Sequence, residues 1–138
     1  MKAVLCIFFS YLLLCIPLHF KKKPKAVILF NNVPITKENA LDNRTSFQTG
    51  KRIYYILITK KELKSDTIRV KVYSRKASAN NTRNSLVYCN DFRLNKDNVY
   101  YYTDYIVMNS AGEYNMAIYS TDRLDVEITS ADFKVVEN

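Results

Sequence analysis

Thr67-Ile68-Arg69-Val70-Lys71-Val72-Tyr73 decides the fold class. Ile68, Val70 and Val72 alternate with Arg69, Lys71 and Tyr73, a period of two that puts one set of side chains in a core and the other in water. A helix would need apolar residues every three or four positions, and no such stripe persists for three turns anywhere after residue 25. The segment therefore predicts a half-buried β-strand.

Working outward, the same rhythm recurs in short segments. Ile53 to Ile58 is apolar on both faces and reads as a central strand entered through a turn at Thr49-Gly50-Lys51. Ala26 to Phe30 is an apolar run that opens the domain, and residues 31 to 43 are polar, contain Pro34 and read as a long connection. Ser74 to Ser85 (SRKASANNTRNS) carries no large apolar residue and predicts a mobile loop. Leu86 to Tyr88, Tyr100 to Met108, Tyr114 to Tyr119, Val126 to Ile128 and Phe133 to Val136 supply further strands, eight candidates in all. That number, in roughly 113 residues, is the spacing of a two-sheet sandwich. Eleven Tyr, many Ile and Val, and no Trp suit a pleated surface, while two Gly and three Pro leave no glycine-rich ligand loop or proline-rich linker.

Gly112-Glu113-Tyr114 precedes a late strand and resembles the tyrosine corner of immunoglobulin-like domains. In those folds the Tyr hydroxyl bonds back to the backbone and a Cys often follows two residues later. Met116 stands at that position, and the core Trp is missing. The resemblance implies an all-β, immunoglobulin-like antiparallel β-sandwich over residues 26–138 and implies no ligand.

Residues 1–25 are of another kind. Ala3 to Phe20 is an 18-residue stretch without Asp, Glu, Lys or Arg. As a helix it would run about 27 Å, close to the bilayer core of about 30 Å. This N-terminal hydrophobic helix is expected to hold the chain at a membrane through residues 3–20. No small-x-small cleavage site follows it, which favours an uncleaved signal-anchor. Leu12-Leu13-Leu14-Cys15 resembles a bacterial lipobox, with Leu14 where that family has a small residue, and makes Cys15 a candidate lipid-anchor site.

Charge divides along the chain. The formal +8 includes five lysines in residues 1–25 (Lys2, Lys21, Lys22, Lys23, Lys25) and no acid there, leaving 16 basic against 13 acidic residues in the domain, a net of +3. That excess is too small to neutralise a run of phosphates, so no nucleic-acid partner is expected. Lys21 to Lys25 after the apolar segment favour a cytoplasmic domain under the positive-inside rule. A short leader followed by an all-β, tyrosine-rich domain is more often exported, and an extracytoplasmic position, at the periplasm or cell surface, is expected.

Catalytic chemistry finds few groups. The single histidine, His19, lies in the leader, so the domain can build neither a Ser-His-Asp or Cys-His arrangement nor a histidine-based zinc site. No enzyme activity, small-molecule substrate, cofactor or metal is expected. Asp122, Asp125 and Glu127 supply too few oxygens for calcium and read as a solvated turn. Asp91, Asp97 and Asp104 could be drawn as a carboxylate pair, but nothing sets their separation. Cys89, the one cysteine of the domain, reads as a small buried hydrophobe. The most unusual feature is Tyr100, Tyr101, Tyr102 and Tyr105: in a strand Tyr100 and Tyr102 face one side and Tyr101 and Tyr105 the other. Tyrosines add stiff contact area with a polar tip and are the candidate binding residues for a protein or glycan, against the plainer reading that they fill the sheet's own faces.

Overall fold

The computed structural model describes residues 25–78, 81–96 and 100–138; the leader with Cys15, and Asp97, lie outside them. Among the described residues eight strands follow one another: β1 (Ala26–Asn31), β2 (Ser46–Gln48), β3 (Arg52–Thr59), β4 (Thr67–Ser78), β5 (Asn81–Arg93), β6 (Tyr101–Val107), β7 (Gly112–Ser120) and β8 (Arg123–Val136). They form a three-stranded sheet in the order β1-β3-β6 and a five-stranded sheet in the order β2-β8-β7-β4-β5. First, third and sixth strands in one layer, and fourth, seventh and eighth in the other, is the partition of an immunoglobulin-like sandwich, with β5 the added edge strand beside β4.

The alternation that opened the sequence reading is the core. Ile68, Val70 and Val72 are fully buried and face Ile53, Tyr55 and Leu57 of β3, with Met116, Ile118, Phe133 and Val135 completing the layer. Each such aliphatic side chain contributes about 1.5–3 kcal/mol by leaving water. At one end Phe30, Phe47 and Phe133 meet as an aromatic cluster, Phe30 and Phe133 with ring centroids 5.1 Å apart. The corner is present: the Tyr114 hydroxyl donates to the Ser110 carbonyl at 2.7 Å.

β3 is apolar on both faces because both are covered. Its outward Ile56 and Ile58 pack with Ala40, Ile35, Val27, Leu29 and Tyr101 in a second small core. The segment 32–45 forms the lid of that core. It is fastened where the Phe30 N–H donates to Asn43 Oδ1 at 3.0 Å and the Arg44 N–H to the Phe30 carbonyl at 2.8 Å.

Three expectations are corrected. Ser74 to Ser85 is not a loop: β4 and β5 continue as a hairpin with Ser74 opposite Ser85 and Arg75 opposite Asn84. The ladder satisfies the backbone without an apolar side chain, and Arg75 is anchored to Asp132 of β8 at 3.0 Å. Val126 to Ile128 and Phe133 to Val136 are one strand; its register with β7 shifts between Ile118 and Tyr119, where Ile128 is skipped, and that bulge reverses the alternation. The sandwich is also not wholly antiparallel, since β2 pairs with β8 in parallel. Three residues long with one apolar side chain, β2 gives no periodic signal; Phe47 alone pins it to the core.

Candidate functional site

The strand directions define two poles. Ala26 pairs with Thr59 and the Lys60 N–H donates to the Lys25 carbonyl, so the chain enters from residues 1–24 at that pole. Asn31 opposite Tyr54, Arg52 opposite Val107 and the end of β8 lie at the other. The eight residues of β3 separate the poles by about 25 Å.

At the pole away from the entry point a groove of about 440 Å³ opens, floored by β2 and walled by Asn32, Pro34, Lys51, Arg52 and Tyr54. Its geometry starts at Gly50. With φ of 72° in the left-handed region, Gly50 closes a tight turn in which the Lys51 N–H donates to the Gln48 carbonyl at 3.3 Å. The Gly50 N–H also donates to the Met108 carbonyl at 2.9 Å, tying the turn to the segment after β6. This delivers Lys51 and Arg52 side by side at the rim.

The outer face of β3 and β6 extends the site. Tyr54 and Tyr105 are cross-strand partners with ring centroids 5.7 Å apart, and the Arg52 guanidinium lies 4.6 Å above the Tyr105 ring. Such a stack holds a flexible cation in one place. The Tyr54 hydroxyl first, and Tyr105 second, push the Arg52 guanidinium above its ordinary pKa. Among the described residues Lys51 and Arg52 are the charged side chains of the groove lining, and both are cations. Asn31, the cross-strand partner of Tyr54, is buried with its Nδ2 unpartnered among the described residues.

The four tyrosines singled out from sequence do not form one surface. Tyr102 turns inward: its ring lies 5.5 Å from Phe92 and 6.3 Å from Tyr55, and its hydroxyl donates to Asp104 Oδ2 at 2.9 Å. Burial first, then Asp104, pushes its hydroxyl pKa up. Tyr101 packs on the second core, and Tyr100 is half-buried with its carbonyl accepting from the Thr59 N–H at 2.8 Å. Of the four, Tyr105, 42% exposed, stands out into solvent, and it lies beside the groove, against Arg52 and Tyr54 of its lining. Sequence reading missed Lys51, Arg52 and Tyr54. Counting alternate residues from Gly50 sets Arg52 and Tyr54 on one face, but their meeting with Tyr105 depends on the pairing of β3 with β6, which no local pattern encodes.

Of the carboxylates raised as candidates, Asp91, Asp104 and Asp122 are engaged in the fold, and Asp97 lies outside the described residues. Asp91 holds Arg69 in a two-point pair, Nε to Oδ1 at 2.6 Å and Nη2 to Oδ2 at 2.8 Å, and Arg69 keeps its carboxyl below the usual range. Asp104 accepts from Tyr102 and from the Tyr105 N–H at 2.8 Å. Asp122 accepts from the Ser120 hydroxyl. Among the described residues no three His, Cys, Asp or Glu side chains gather as metal ligands. Cys89 is exposed on β5 rather than buried, because it pairs with Lys71 of β4 and shares that residue's outer face of the sheet, while its neighbour Tyr88 pairs with the buried Val72.

No protein-family model matches the chain, and no curated protein matches it. Among solved structures it is similar to an immunoglobulin-like protein from Pseudomonas aeruginosa, at 13% identity over 80% of this chain and 92% of that one, with a TM-score of 0.49. It is also similar to the soluble domain of PmoD from Methylocystis sp., at 8% identity over 85% and 95% of the two chains, TM-score 0.49. The CARDB domain of a Pyrococcus furiosus protein, in complex with di-metal ions, resembles it at 13% identity over 83% and 96%, TM-score 0.41. The strand order and the tyrosine corner, rather than these resemblances, define the fold as immunoglobulin-like.

Proposed function

We propose that the chain is a non-catalytic binding or assembly module, held at a membrane by residues 3–20 with its sandwich outside the cytoplasm, and presenting the Arg52–Tyr54–Tyr105 platform and its groove to a protein or glycan partner. The observation that carries this reading is polar: the chain leaves toward its hydrophobic segment at one end of the sandwich, and the groove opens at the other, about 25 Å away. A tethered domain so arranged displays its binding surface away from the lipid. The non-catalytic part is supported by the commitment of Asp91 and Asp104 to structural bonds and by the position of the only histidine, His19, in the leader.

A second reading is favoured by Lys21, Lys22, Lys23 and Lys25 immediately after the apolar segment: a domain facing the cytoplasm, as an accessory subunit of a membrane complex. Two fusions after Asn138 separate the readings, one reporter active only outside the cytoplasm and one fluorescent only inside. Activity outside is expected. A signal inside, reversed when the four lysines are changed to glutamate, would replace the first reading with the second.

A further inference from the structure

The groove has a property beyond its charge: its floor is an open sheet edge. β2 is the outermost strand of the five-stranded sheet and pairs only with β8 among the described residues. The Thr45 carbonyl accepts from the Lys134 N–H at 2.7 Å and the Thr49 N–H donates to the Val136 carbonyl at 2.9 Å, so residues 45, 47 and 49 direct their main-chain groups to β8. By the alternation of a strand, the N–H and C=O of Ser46 and the N–H of Gln48 point the other way, while the Gln48 carbonyl is taken by Lys51. The facing edge, β1, is closed at Phe30 by Asn43 and Arg44. One row of main-chain donors and acceptors is thus left open in the groove, whose lining among the described residues holds two cations and no acid.

We infer that the groove takes an extended acidic polypeptide, which adds as a strand to β2 and sets alternate carboxylates against Lys51 and Arg52. Main-chain bonds to Ser46 and Gln48 give the hold, and the cations with the Tyr54 and Tyr105 rings give the preference. Arg52, fixed over Tyr105, offers a forked donor suited to a carboxylate. This inference rests on the reading of the chain as a binding module and names the partner's chemistry.

The test uses the full chain in detergent micelles and a fluorescent decapeptide of alternating Glu and Val, followed by anisotropy, with a Lys-Val decapeptide as control. The Glu-Val peptide should bind and the Lys-Val peptide should not. Arg52→Glu and Lys51→Glu should each weaken binding about tenfold, a loss that grows less pronounced at high salt. Ser46→Pro removes only an outward N–H, so it should keep the wild-type urea midpoint and weaken binding about tenfold. A Glu-Val peptide N-methylated at alternate residues should fail likewise, which keeps the test sharp should the proline variant not fold. Wild-type affinity in Arg52→Glu, or for the N-methylated peptide, would overturn strand addition. An oligouronate that binds where the peptide does not would also overturn it, yet leave the binding-module reading intact; a cytoplasmic signal from the Asn138 fusions would overturn the export reading and leave the groove chemistry intact.

Discussion

Tyr114 donates its hydroxyl to the Ser110 carbonyl at 2.7 Å and stacks its ring on Phe133, centroids 5.5 Å apart, so the turn before β7 is held by one polar and one apolar contact. Removing the hydroxyl leaves the carbonyl short of a partner, and Tyr114→Phe should lower stability by about 1 kcal/mol, read from the urea midpoint. Tyr55 is the opposite case. Its side chain is fully buried in the core, its hydroxyl has no hydrogen-bond partner among the described residues, and a buried polar group so placed costs free energy. Tyr55→Phe should therefore raise stability, by about 1 kcal/mol, with the ring contacts kept. A loss in that variant as large as that of Tyr114→Phe would mean that the Tyr55 hydroxyl is satisfied in solution. The corner was legible from Gly112 and Tyr114 because it is local, its partner four residues away. The state of Tyr55 was not, since its neighbour Tyr102 lies 47 positions later in sequence and only the β3–β6 pairing brings them together.

Strands that bury one face along their whole length announced themselves: β4 from Thr67 to Tyr73 has its alternate side chains in the core as the spacing requires. The part of β4 and β5 that runs beyond the core, and the three-residue β2, did not, because no apolar alternation marks them, and so the far end of the β4–β5 hairpin reads as a loop and β2 as nothing. β5 shows how such an edge is managed. It leaves Leu86 and Val87 exposed at 53% and 48% on a 13-residue edge, a template for a second chain. Its register with β4 jumps from Tyr88 opposite Val72 to Leu86 opposite Tyr73, which makes Val87 an extra residue that bends the strand. Deleting Val87 removes the bulge and straightens the edge. The deletion variant should scatter light several-fold more than the parent at equal concentration while its far-ultraviolet dichroism stays that of a sheet. Unchanged scattering would show that the bulge does not guard the edge.

For the molecule as a whole, the richness in tyrosine that marks the composition becomes a dependence of stability on pH. Burial pushes the hydroxyl pKa up at Tyr55 first of all, with Tyr102 and Asp104 adding to it, and in the same direction at Tyr88, Tyr102 and Tyr114. Tyr119 is raised to about 12, by burial and then by Tyr73. A raised folded value means that the folded chain keeps the proton while the unfolded chain, titrating near 10, gives it up. The stabilisation is therefore complete below pH 10 and drains away as pH climbs above it. For one fully buried tyrosine the slope approaches about 1.4 kcal/mol per pH unit. Ammonium and thiol groups also lose protons over that range, so the share of one hydroxyl is read from the difference between the parent and a variant that lacks it. Urea midpoints measured between pH 9 and 11.5 should be flat to pH 10 and then fall, and Tyr55→Phe should fall less steeply by close to one proton's share. Parallel profiles for the variant and the parent would show that the Tyr55 hydroxyl ionises within the fold, and that the core between β3 and β6 admits water.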